Sequence, residues 1–151
     1  MLLLILAFLI CFLYLKHYFK SNSSFEIIQT PISKLTPSLL FEKSPIVISE
    51  PIVQPIHLTK SIFKYMYICK KEKDITIDKL YTCNGRYCIL YPTEDDAHIH
   101  INHPNHKEEK FQSVKLYKNQ CIVLPMFWKF KTHDPNIHSI DLFDIFTFYK
   151  N

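Results

Sequence analysis

The densest run of potential metal donors in the chain is His98-Ile99-His100-Ile101-Asn102-His103, with His106 just beyond it and Glu94, Asp95 and Asp96 just before. On an extended strand, side chains two residues apart share a face about 7 Å apart, so His98 and His100 could together hold zinc or iron. The competing arrangement points Ile99 and Ile101 inward and leaves the histidines solvated, a cluster without a third ligand of fixed geometry. Other chemistries find less material. No Gly-x-Ser-x-Gly elbow occurs, and nothing identifies a base for any serine. One glycine in 151 residues leaves no way to write a phosphate loop or a dinucleotide fingerprint. Of five cysteines, Cys11 lies in the apolar N-terminus, and Cys69, Cys83, Cys88 and Cys121 form no CxxC pair, so they read as small buried hydrophobes in reducing surroundings. Cys83 and Cys88 flank Asn84-Gly85 and could approach across a hairpin.

The elements that would position such residues are strands. Pro45 to Ile48, Ile62 to Ile68, Arg86 to Tyr91, Val114 to Tyr117, Cys121 to Leu124 and Ile140 to Tyr149 are short β-branched and aromatic runs bounded by proline, asparagine, glycine or charge. Their spacing predicts a mainly β domain, an antiparallel sandwich or barrel, with a short helical turn at Leu39-Leu40-Phe41. Asn84-Gly85 is the strong hairpin signal and Lys118-Asn119 a second turn. Trp128, with Phe127 and Phe130, reads as core. The Ile140 to Tyr149 run reads as a last strand, with an exposed partner-binding edge as the other option.

Gly85-Arg86-Tyr87-Cys88-Ile89-Leu90-Tyr91-Pro92, His103-Pro104, Val114-Lys115-Leu116 and Ile122-Val123-Leu124-Pro125-Met126-Phe127-Trp128 resemble successive strands of cupin-like (Jumonji-C-like) hydroxylases, the asparaginyl hydroxylases among them. Ser44 to Ile48 is similar to that family's entry strand, and the likeness covers roughly Leu39 to Phe130. It implies a small, incomplete double-stranded β-helix with Gly85, Pro92, Pro125 and Trp128 as its structural motif residues. It also implies an Fe(II) held by a His-x-Asp pair and a later histidine, with positions left open for 2-oxoglutarate and oxygen. Here the pair falls on Glu72-Lys73-Asp74, the later histidine on Phe130, and the basic residue that grips the cosubstrate on Tyr87, beside Arg86. The expectation is therefore a degenerate, non-catalytic module for protein binding or structural assembly, without cofactor. The alternative is an Fe(II)/2-oxoglutarate-dependent oxygenase with unconventional ligands drawn from Glu72, Asp74, His98 and His100.

The first fifteen residues are uninterruptedly apolar and are followed at once by Lys16, His17 and Lys20. Extended through Phe19 as a helix, the segment reaches about 28 Å, close to the ~30 Å bilayer core. It lacks the basic opening and small-residue cleavage site of a signal peptide. The expectation is a single-pass membrane anchor over residues 1–20, built on Leu2, Leu3, Leu4, Ile5, Leu6, Phe8, Leu9, Ile10, Phe12, Leu13 and Leu15. A Ser/Thr/Pro-containing tether over 21–37 and the cupin-like β domain over 38–151 follow. The flanking lysines place that domain in the cytoplasm, with the membrane and a protein partner or assembly as its associates. Asn22-Ser23-Ser24 matches a glycosylation acceptor, relevant only on the opposite side. A net charge of +4 carried by scattered lysines does not make a nucleic-acid surface. Heavy use of Lys, Ile, Phe, Tyr and Asn, with two alanines and one glycine, fits an AT-biased genome, viral or microbial.

Overall fold

The computed structural model describes residues 2–20, 25–52, 54–106 and 110–149. The strands are β1 (Ile28–Thr30), β2 (Ile46–Ile48), β3 (Cys69–Asp74), β4 (Tyr81–Thr82), β5 (Tyr87–Pro92), β6 (Ala97–Asn102), β7 (Gln112–Leu116), β8 (Cys121–Pro125), β9 (Lys129–Thr132) and β10 (Ile137–Phe143). Four short or terminal helices accompany them: α1 (Leu2–Phe19), α2 (Pro37–Phe41), α3 (Ile56–Ser61) and α4 (Ile145–Phe148).

β3 to β10 interleave in two antiparallel four-stranded layers, ordered β3-β10-β5-β8 and β4-β9-β6-β7. This is the strand order of a jelly roll. β2 extends the first layer antiparallel to β8, and β1 adds parallel to β2, giving six strands in that sheet. Side chains of β5 and β8 alternate between two cores, as the two-residue period of a strand requires. Cys88, Leu90, Ile122 and Leu124 pack between the sheets against Ile99, Ile101, Trp128 and Phe130. Tyr87, Ile89, Cys121 and Val123 face the other way, onto Leu40, Leu58 and Phe63 from α2 and the α3 region. Burial on both faces explains why these strands read as continuous apolar runs.

Several expectations need correction. Among the described residues no helix is long and apolar enough to cross a membrane. The uninterrupted run Leu2 to Leu15 reaches only about 20 Å against a ~30 Å hydrocarbon core, because Lys16 and His17 occupy the last helical turn and Tyr18 is buried against the β domain. The single-pass anchor, and the localisation drawn from it, is overturned. Nor is the β architecture incomplete as expected, since among the described residues the two layers hold all eight strands of a jelly roll. Part of the expected tether belongs to the fold: Gln29 pairs with Val47, and a 3₁₀ turn spans Ile32–Lys34. Asn22-Ser23-Ser24 lies outside the described residues.

The Ile62 to Ile68 run is the C-cap of α3 at Ile62 followed by turns, one closed by the Met66 amide on the Phe63 carbonyl at 2.8 Å. The C-terminal run breaks after Phe143, because Asp144 and Thr147 form a reciprocal capping box that starts α4. Gly85 is not the left-handed residue of a primed turn; no glycine has positive φ. Turns needing that conformation use Lys43, Asp78, Asn119, Phe127 and Asn136, which is how a fold of tight connections manages with one glycine.

Candidate binding site

The donors singled out for metal do not converge. His98 and His100 stand on the outer side of β6, with Ile99 and Ile101 buried beneath them. His98 Nδ1 lies 3.6 Å from Asp134 Oδ2, and the His100 ring packs edge-on to His133 with centroids 5.0 Å apart. Glu72 and Asp74 lie on β3, at the edge of the other sheet, where Glu72 pairs with Lys70 at 2.7 Å and Asp74 with His138 at 2.7 Å. Phe130, the position of the later histidine in the resemblance, stacks on Tyr81 with centroids 5.5 Å apart. Among the described residues no three His, Cys, Asp or Glu side chains are arranged to hold a metal ion. The residues present do not fit an iron centre of the expected kind.

The histidine face still titrates. Partial burial, then the neighbouring His133, Lys131 and His98, hold His100 below its ordinary value, opposed by Asp134. The folded state therefore binds a proton at His100 less readily than the unfolded chain, so this contribution to stability is lost as pH falls below about 6.5. Urea unfolding at pH 7 and pH 5 should show a smaller acid-side loss for His100→Gln than for wild type, and equal losses would contradict the assignment.

The structural motif residues occupy framework positions. Pro92 ends β5 opposite Ile137, and Pro125 ends β8 opposite Tyr87. Trp128 is fully buried beside Phe25 and His103, with centroids 5.4 and 5.1 Å away. Within the first layer, Asp141 of β10 is registered with Cys88 of β5 and accepts a hydrogen bond from Lys73 Nζ at 2.6 Å. Burial, then contact with Cys83 and Asp141, pushes the Cys88 thiol well up, and burial pushes Cys121 up to about 12. A native thiol titration is expected to modify Cys11 and Cys69 and spare Cys83, Cys88 and Cys121 until the protein unfolds; rapid native modification of Cys88 would contradict this packing.

Among the described residues, buried charge, aromatic walls and open volume meet at the base of α1. Lys43, left-handed at φ 58° just after α2, donates its ammonium to the carbonyls of His17, Tyr18 (2.9 Å) and Lys20 (2.6 Å). These lie at the C-terminal end of α1, where a cation satisfies unpaired carbonyls and the helix dipole. Burial, then Arg86 and Lys20, hold the Lys43 ammonium below its usual value. The Tyr18 hydroxyl donates to Asp144 Oδ2; burial and that bond raise it above the ordinary phenol range. Asp144 Oδ1 accepts from the Phe146 and Thr147 amides of α4, each at 3.1 Å.

Arg86 sits between these groups. Its guanidinium lies 4.0 Å from the Tyr18 ring centre and 5.7 Å from those of Phe41 and Tyr87. Asp144 Oδ2 is 3.7 Å away, beyond hydrogen-bond distance. The cleft alongside has a volume of about 320 Å³ and is walled by Tyr14, Phe41, Tyr65, Met66, Ile68 and Phe146, with Arg86 and Asp144 in its lining. A volume above ~300 Å³ with aromatic walls and few polar groups is the usual make-up of a ligand site. Sequence reading placed Arg86 beside a cosubstrate position but gave no sign of α1 or α4 closing around it, because those contacts join segments distant in the chain, Tyr18 and Asp144 being 126 positions apart.

The molecule is thus a jelly roll with an aromatic cleft at the foot of an apolar helix. No family model, curated protein or solved structure matches the chain. The resemblance to cupin-like hydroxylases rests on its sequence motifs alone.

Proposed function

We propose that this chain is a non-catalytic assembly module that joins further copies of itself through α1. The observation that carries the reading is exposure: Leu3, Leu4, Ile5, Leu6, Phe8, Leu9, Ile10, Phe12, Leu13 and Tyr14 are each more than half exposed, on every side of the helix. A helix that is apolar all round is a buried helix. Its exposed side chains amount to on the order of 1,000 Å² of apolar area, against about 800 Å² per partner in a standard interface. Two helices in contact would cover one face of each, so an all-round apolar surface calls for a bundle of several copies. The base of α1 is fixed by Lys43, Arg86 and Asp144, and this anchoring gives the bundle a defined relation to the β domain.

Cys11, exposed on α1, supplies the test. With Cys69 changed to serine, a short bis-maleimide should join Cys11 of neighbouring copies into covalent dimers and higher species. Absence of cross-linked species would refute assembly through α1. Co-flotation with phosphatidylcholine vesicles, without cross-links, would assign the helix to lipid and refute it equally.

A further inference from the structure

We infer that the cleft beside Arg86 is a carboxylate-binding site, taking an acid whose body is aromatic or aliphatic. The inference extends the binding reading above to a second ligand, and concerns the cleft, which shares Tyr14 with the exposed length of α1.

Charge is the first argument. The Arg86 side chain is only 13% exposed and is permanently cationic, so its burial requires compensation. Compensation within the chain is partial: the Tyr87 hydroxyl accepts from the guanidinium, while Asp144 uses Oδ1 to cap α4 and Oδ2 to accept from Tyr18, and stands 3.7 Å off. Lys43 and Lys20 add to the positive field, since both line a small adjoining cavity with Arg86 and Tyr18. Arg86 is thus paired with one acid whose oxygens are already engaged, beside two further cations. A guanidinium presents a planar fork of donors that matches a carboxylate in bidentate fashion.

Shape is the second argument. Tyr18 covers one side of the guanidinium at 4.0 Å, which restrains the fork where it lines the cleft. Phe41, Tyr65 and Phe146 wall the remaining cleft with apolar surface, suited to the body of the acid rather than to its headgroup. A bare inorganic anion would use the charge and leave the 320 Å³ of aromatic space unfilled.

A free aryl or alkyl acid and the C-terminal carboxylate of a polypeptide share this chemistry, so the experiment carries an arm for each. Calorimetric titration of the full chain is done with 3-phenylpropanoate, with a tetrapeptide ending in a free phenylalanine carboxylate, and with the amide of each. Binding of at least one acid, at least tenfold tighter than its amide, is expected. Whichever acid binds identifies the source, and Arg86→Gln should weaken it at least tenfold, with Arg86→Lys intermediate because an ammonium lacks the fork. Acid and amide binding equally, or neither acid binding at 10 mM, would overturn the inference. The acid–amide comparison uses the unaltered protein and so decides the matter even if an Arg86 variant fails to fold. Loss of cross-linking at Cys11 would leave this result untouched, and the reverse holds as well.

Discussion

Gly85→Ala is expected to lower the unfolding free energy by about 3 kcal/mol. A β-carbon at Gly85 would stand 2.5 Å from the Leu142 carbonyl oxygen and 3.1 Å from the Leu142 carbonyl carbon and amide nitrogen. These are backbone atoms of β10, paired on both sides by β3 and β5, so they cannot step aside as the end of a flexible side chain could. The same approach lets the Arg86 amide donate to the Leu142 carbonyl at 2.7 Å, which sets where the guanidinium enters the cleft. The substitution should therefore cost stability and acid binding together. Urea midpoints compared with those of Asn84→Ala, an exposed neighbour expected to change stability by under ~0.5 kcal/mol, provide the measurement. A Gly85→Ala midpoint equal to wild type would mean that β10 does not lie against this glycine.

Lys73→Met is expected to cost about 2 kcal/mol, and the double change Lys73→Met with Asp141→Leu to recover most of it. Asp141 is 6% exposed at its side chain and Lys73 38%, so the pair is buried at its acidic end only, and the expected cost is set below that of a fully interior ion pair. Removing the lysine strands a carboxylate beside the Cys88 thiol between two sheets. Removing both leaves apolar groups where the surrounding core is already apolar. A double-mutant cycle by chemical unfolding measures the coupling; equal destabilisation by the single and double changes would show that Asp141 has another partner.

Much of the sheet was legible because its central strands are two-faced. Tyr87 to Tyr91 and Cys121 to Leu124 are apolar at every position, and Lys118-Asn119 marks the turn before the second of them. β3 was not legible: Cys-Lys-Lys-Glu-Lys-Asp has no apolar alternation, because it is an edge strand whose Lys70 and Lys71 face water and deter further pairing while Lys73 turns to the buried Asp141. The two-residue β4 carries too little pattern to register. Asn84-Gly85 signalled a turn for the wrong reason, since the glycine answers to a close backbone approach and not to a left-handed φ. The site was the least legible part. Tyr18, Arg86 and Asp144 are separated in sequence, and only closure of the β3 to β10 layer brings them together. The apolar run at the N-terminus misled by its composition, which suits lipid; its last turn is instead tied to the β domain by Lys43 and Asp144.

The claim that α1 assembles copies of this chain is tested most directly by sedimentation velocity across a range of micromolar concentrations. The full chain should sediment at a mass of three or more times 18.0 kDa. Leu4→Gln, Phe8→Gln and Phe12→Gln together change the ridge that is 66%, 75% and 65% exposed and touches the β domain least, and this variant should sediment at 18.0 kDa with an unchanged unfolding midpoint. A full chain that stays at 18.0 kDa at every concentration would contradict the account.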